Sequence, residues 1–209
     1  QQGVPVRMVA ATQIVDAEIV VLADSPIHSA GELRGKKVGM SPIGSATTGV
    51  GTAVSRDSRV WFTLSHGILN EVYYPRIDHA CTRDLGLIVT DGRSYCSEEK
   101  RDTRSETSQA APGIPAYRIR NTARDGRYRI EKEVFTDPWR DVVLQRIRFV
   151  PLAGTLDDFR LYVLLAPHLA NRGGGNTAWA GDYKGRPMLF AERDHHALAL
   201  AGDAPWLAR

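Results

Sequence analysis

Between Ser65 and Asp78 the chain reads Ser-His-Gly-Ile-Leu-Asn-Glu-Val-Tyr-Tyr-Pro-Arg-Ile-Asp. An imidazole, an amide, two carboxylates, a guanidinium and two adjacent phenols share this short stretch. Sugars are held by aromatic faces against their C–H surfaces and by planar polar groups at their hydroxyls. His66, Asn70, Glu71, Tyr73, Tyr74 and Asp78 therefore form a candidate surface for a glycan or for another protein. The competing reading is a corner loop whose Tyr hydroxyls and Asn amide tie down neighbouring strands.

A second constellation is the small-residue loop Ser41-Pro42-Ile43-Gly44-Ser45-Ala46-Thr47-Thr48. If it leads into a helix, Gly44, Ser45, Thr47 and Thr48 present amides and hydroxyls to an anion. No phosphate-loop lysine follows at the required spacing, which favours the competing reading of a plain Gly/Ser turn. Glu131 and Glu133 lie on one face of a strand, and an inverting glycosidase needs its two carboxyls roughly 6.5–9.5 Å apart. They alternate with Arg129 among charges of an exposed face, and nothing marks a pocket around them. Adjacent histidines in Asp194-His195-His196 diverge on a strand and no third ligand has fitting spacing. The Gly173-Gly174-Gly175-Asn176 run reads as a turn. The sequence thus assigns no catalytic residue, no metal ligand and no cofactor.

The elements that must carry these residues change character near residue 49. All aromatic residues, 5 Phe, 7 Tyr and 4 Trp, lie at or after Trp61. Before the break, Val6 to Ala10, Glu18 to Leu22 and Lys37 to Met40 read as short strands, and Ser29-Ala30-Gly31-Glu32 has the spacing of a helix capping box. After it, β-rich runs recur: Arg59 to Leu64, Asp84 to Thr90, Ala116 to Asn121, Arg127 to Phe135, Asp141 to Val150, Phe159 to Ala166, Trp179 to Tyr183, Met188 to Glu192 and Ala197 to Ala201. Asp91-Gly92 and Asp125-Gly126 are two-residue hairpin signals. In the Arg127–Phe135 run, Tyr128, Ile130, Lys132 and Val134 share one face and Arg129, Glu131, Glu133 and Phe135 the other. Residues 97–113 read as a charged, solvated loop. The pattern predicts a mainly β fold, a large antiparallel β-sandwich, preceded by a short α/β fragment.

Over 209 residues the formal net charge is +3 with 43% hydrophobic and 24% charged residues. That balance points away from a nucleic-acid partner, and no apolar run reaches the roughly 18 residues of a membrane span. The chain starts at Gln1 with no basic-then-apolar leader, so a processed or truncated start is expected. Cys81 and Cys96 read as two buried small residues rather than a disulfide.

Two resemblances follow from longer motifs. Ala23-Asp24-Ser25-Pro26-Ile27, Glu32 to Met40 and Gly44 to Thr48 resemble solute-binding proteins of nitrate/sulfonate/taurine-type ABC transporters. Gly49 to Ala53, Ser58 to Thr63, His66 to Asp78, Arg83 to Leu87, Glu98 to Thr103, Thr136-Asp137-Pro138 and Leu161 to Leu169 resemble the N-terminal domain of bacterial glucoamylases and glucodextranases, glycoside hydrolase family fifteen. The second resemblance implies a β-sandwich, incomplete at its C-terminal end, that supports a catalytic (α/α)-barrel acting on α-glucan with inversion. The expected organisation is an α/β fragment over 1–48 and the sandwich over 49–209, a chimera or an artificial join. The expected role is non-catalytic, with a small-anion-binding fragment or a free carbohydrate-binding module as alternatives. Both resemblances lean toward a bacterial, extracytoplasmic setting without fixing it.

Overall fold

The computed structural model describes residues 6–11, 18–22, 47–204 and 206. The chain divides into two compact units, Gln1–Pro42 and Ile43–Arg209. In the first, β1 (Val6–Ala11) and β2 (Glu18–Leu22) pair antiparallel with Val6 opposite Leu22 and a bulge between Met8 and Ala10. Both strands fall where the β-branched runs place them. The expected capping-box turn, the strand at Lys37–Met40 and the loop residues Gly44 and Ser45 lie outside the described residues.

The second unit is built of antiparallel sheets. Its strands are β3 (Thr47–Thr52), β4 (Trp61–Ser65), β5 (Ile68–Tyr73), β6 (Ala80–Thr90), β7 (Cys96–Glu98), β8 (Thr103–Gln109), β9 (Tyr117–Ala123), β10 (Tyr128–Thr136), β11 (Val143–Pro151), β12 (Arg160–Pro167), β13 (Thr177–Tyr183), β14 (Arg186–Arg193) and β15 (His196–Ala201). One sheet runs β12-β6-β5-β4-β3 with β7 added to β6, the second runs β11-β10-β9-β8, and a third is the meander β13-β14-β15. β3 crosses the Thr48/Gly49 join expected from composition, so Thr47 and Thr48 are strand residues rather than loop residues.

The core forms where alternation turns apolar residues of the first two sheets toward each other. Phe62, Leu64 and Leu69 meet Tyr117, Ile119 and Val134 in one cluster. Leu87 and Val89 meet Ala123, Tyr128 and Ile130 in the next. A side chain of Phe62 size, fully buried, contributes about 2–3 kcal/mol. Tyr128 stacks on Phe149 with centroids 5.4 Å apart and shares a hydrogen bond of 2.7 Å with the Ser97 hydroxyl. Within the same unit, the third sheet packs through Ala191 and Leu198 against Leu169, Cys81 and Tyr74.

The two faces of β10 are arranged as the alternation predicts, with Tyr128, Ile130, Lys132 and Val134 buried. Three sequence expectations are corrected. Only residues 110–113 of the expected loop 97–113 are a turn: residues 97–109 form the end of β7, one helical turn α1 (Glu99–Asp102) and β8, and the Glu99 side chain is fully enclosed. Charge density there reflects an internal ion pair and an outward strand face, not solvation. The Asp91-Gly92 signal opens a five-residue connection, because Asp91 Oδ1 accepts from the amides of Arg93, Ser94 and Tyr95 and holds a wider loop. Both cysteines are free, but Cys96 is exposed and only Cys81 is buried.

Candidate functional site

The His66–Asp78 segment is not a loop. Its middle, Ile68–Tyr73, is β5, an interior strand of the first sheet, because buried Ile68, Leu69 and the packed Val72 outweigh the polar residues between them. His66 and Gly67 form the tight turn from β4, both with left-handed backbone (φ 52° and 75°). His66 is exposed, and its Nδ1 lies 2.6 Å from Ser65 Oγ. At the far end, Asp78 is exposed and bound by Arg76 through two contacts of 3.0 and 2.8 Å. Roughly 20 Å of strand separates these two ends, so the six candidates do not converge on one point.

Inside the strand, Glu71 and Tyr73 do meet. The Tyr73 hydroxyl donates to Glu71 Oε2, and Arg83 reaches Glu71 Oε1 at 3.2 Å. Glu71 and Tyr73 are 3% and 6% exposed, and Asn70 is buried as well. Burial, reinforced by the hydrogen bond and charge of Glu71, raises the Tyr73 phenol far above its usual 10.0. These three residues therefore stiffen the sheet and offer little surface to a ligand. Tyr74 is half-buried; its hydroxyl accepts from Arg59 at 3.0 Å, the Arg59 guanidinium lies 5.3 Å from its ring centroid, and Asp141 pairs with Arg59 at 3.4 Å. Asn171 clamps the following turn, accepting from the Ala80 amide and donating to the Asp78 carbonyl, each at 2.7 Å.

The Gly67 turn is held from beneath by residues the sequence reading missed. Asn121 Nδ2 on β9 donates to the Gly67 carbonyl at 2.8 Å and to Glu99 Oε1 at 2.6 Å. Glu99 Oε2 accepts from Lys132 Nζ at 2.6 Å and from the Leu87 amide at 3.0 Å. Burial pushes the Lys132 ammonium down from its ordinary range, and the Glu99 carboxylate opposes that shift. A lysine in register with Tyr128, Ile130 and Val134 was the available signal: a charge on a core face requires a buried partner.

The other candidates settle simply. Thr47 and Thr48 open β3 as exposed residues, with Thr48 Oγ1 donating to the Leu64 carbonyl at 3.3 Å. Glu131 is gripped by Arg129 and Arg148 at 2.9 and 3.4 Å, and Glu133 by Arg118 and Arg146 at 3.3 and 3.7 Å. Each carboxylate is thus shared between two arginines. His195 lies in the β14–β15 turn, while the His196 ring meets His79 at 5.8 Å. Among the described residues no three His, Cys, Asp or Glu side chains are grouped to hold a metal ion, and no helix is long and apolar enough to cross a membrane.

Comparison with known proteins gives this arrangement a family. A glucoamylase from Clostridium sp. (strain G0005) is 40% identical over 158 residues, covering 76% of this chain and 22% of the relative. A solved bacterial glucoamylase structure, complexed with acarbose, superposes with a TM-score of 0.73 at 39% identity, covering 74% of this chain and 23% of that one. The chain thus spans about a fifth of the length of these relatives. The transporter-like reading of residues 1–48 finds no support in the comparisons. The family model for glucodextranase domain N matches residues 41–209, the whole of the antiparallel unit, and the chain belongs to that family.

Proposed function

We propose that this chain is the non-catalytic β-sandwich portion of a glucan-hydrolysing enzyme of the glucoamylase/glucodextranase type, and that it supports a catalytic (α/α)-barrel. The observation that carries this reading is the match of 41–209 to glucodextranase domain N, beside an alignment of 158 residues to about a fifth of a glucoamylase. Glu131 and Glu133, the pair with suitable strand spacing, are each engaged by two arginines, which fits a structural role. Tyr74, directly after the end of β5, is the contact candidate that combines a large aromatic surface with partial exposure. The test mixes this chain with the separately expressed catalytic portion of the Clostridium glucoamylase and measures docking by calorimetry. Tyr74→Ala is expected to weaken docking by about 1–3 kcal/mol, with Tyr74→Phe close to wild type. Glucose release from maltotetraose by the chain alone, abolished by Glu131→Gln or Glu133→Gln, would overturn the reading.

A second reading, direct contact with α-glucan, is favoured by the surface of β13. Trp179 is exposed and stacks on Phe190 with centroids 5.4 Å apart at 17°, and exposed Tyr183 shares its strand face. Maltoheptaose quenching of tryptophan fluorescence, lost in Trp179→Ala, is the outcome it requires.

A further inference from the structure

The outward face of the β8–β11 sheet carries its charges in rows. Strand register sets Glu106, Arg120, Glu131 and Arg148 side by side across all four strands. The neighbouring row is Ser108, Arg118, Glu133 and Arg146, and the row on the other side is Arg104, Thr122, Arg129 and Val150. Six arginines against three glutamates leave an excess of three positive charges, as large as the formal charge of the whole chain. The central rows border a shallow depression of about 690 Å³.

This face is ordered and open together. Its glutamates hold the arginine forks at 2.9–3.7 Å, yet the side chains of Arg118, Arg120, Arg146 and Arg148 remain 62%, 56%, 82% and 76% exposed. Pre-positioned guanidinium groups lose little freedom on meeting a partner, and they accept carboxylates through paired N–H donors. We propose that this face docks a protein surface bearing carboxylates at the two-residue spacing of an extended strand, about 6.8 Å, which matches Arg118/Arg120 and Arg146/Arg148. Charge complementarity selects this occupant. A continuous polyanion would meet Glu131 and Glu133 in the middle of both central rows, whereas discrete carboxylates fit between them. No aromatic ring stands in those rows for a sugar to stack upon. The face lies on a different sheet from β5, which leads into Tyr74, so it is independent of the docking reading above.

The test uses the full chain and a fluorescein-labelled (Glu-Thr)₆ peptide, followed by anisotropy at low and at moderate salt. The expected result is saturable, salt-sensitive binding that weakens at least tenfold in Arg146→Gln/Arg148→Gln. Arg160→Gln/Arg186→Gln, which removes the same charge elsewhere, should change it less than twofold. Unaltered melting curves for both variants exclude a folding effect. Equal losses in the two variants would reduce the effect to net charge and overturn the proposal, as would absence of binding by the wild-type chain. Tighter binding of heparin with the same arginine dependence, or maltoheptaose binding that needs Arg146 and Arg148, would also overturn it.

Discussion

Lys132 stands on the apolar side of β10 between Ile130 and Val134, and its charge is tolerable there because Glu99 meets it at 2.6 Å. Taking both charges out of water is expensive, and the further bonds from Leu87 and Asn121 to Glu99 are what make the pair sustainable. Lys132→Met fills a similar volume but strands a buried carboxylate, so it should cost about 3–5 kcal/mol in urea denaturation. The double variant Lys132→Met/Glu99→Gln should recover most of that loss; no recovery would show that shape, not charge, ruled the site. The buried phenols make a separate prediction. Burial raises both Tyr73 and Tyr128 well above 10.0, with Glu71 adding to the shift of Tyr73 and the Ser97 hydrogen bond partly offsetting that of Tyr128. A folded-state pKa above the unfolded one means that their contribution is fully present below pH 10 and is lost as pH rises beyond it. Stability should therefore fall on the alkaline side of pH 10, less steeply in Tyr73→Phe, as read by denaturation midpoints across that range.

At the scale of elements, the turn between β4 and β5 depends on a glycine. A Cβ at Gly67 would lie 2.1 Å from Asn121 Oδ1 and 2.2 Å from Ser105 Oγ, on a backbone of φ +75°. Gly67→Ala must displace the amide that bonds Glu99, so strain and a disturbed buried network act together. The expected loss is on the order of 3 kcal/mol, while Gly126→Ala, with φ +76° but open space around it, should lose less. Comparable losses at the two sites would mean backbone strain alone governs them. The same turn shows what sequence could and could not convey. Alternation in β10 was legible because its period is local. β5 was read as part of a loop because Asn70 and Glu71 carry no strand signature. Their strand state is imposed by β4 and β6 on either side, and Glu71 is covered by Tyr73 and Arg83. Glu99 was lost in a charged run for the same reason, since its partner lies 33 residues away. The candidate site was legible as residue types and illegible as geometry, because pairing decides which side chains face out.

For the whole molecule, the division at Pro42/Ile43 can be put to a direct test. The three apolar clusters are composed of residues from Phe62 to Leu198, and the glucodextranase domain N match begins at residue 41. Residues 43–209 should therefore fold without the preceding unit, with the melting temperature of the full chain. The cysteines provide an internal reporter of that integrity. Cys96 is exposed, while Cys81 is buried beneath Leu169 and Ala191 and burial raises its thiol above the ordinary range. A chain with its third sheet seated should expose one fast-reacting thiol to a disulfide reagent and release the second only on unfolding. The 43–209 fragment is expected to keep that single fast thiol. A cut after Pro167, which removes Leu169 and β13–β15, should make Cys81 react as quickly as Cys96, because Leu169, Ala191 and Leu198 no longer cover it. Fast reaction of both thiols in the 43–209 fragment would show instead that these residues do not seat the third sheet by themselves.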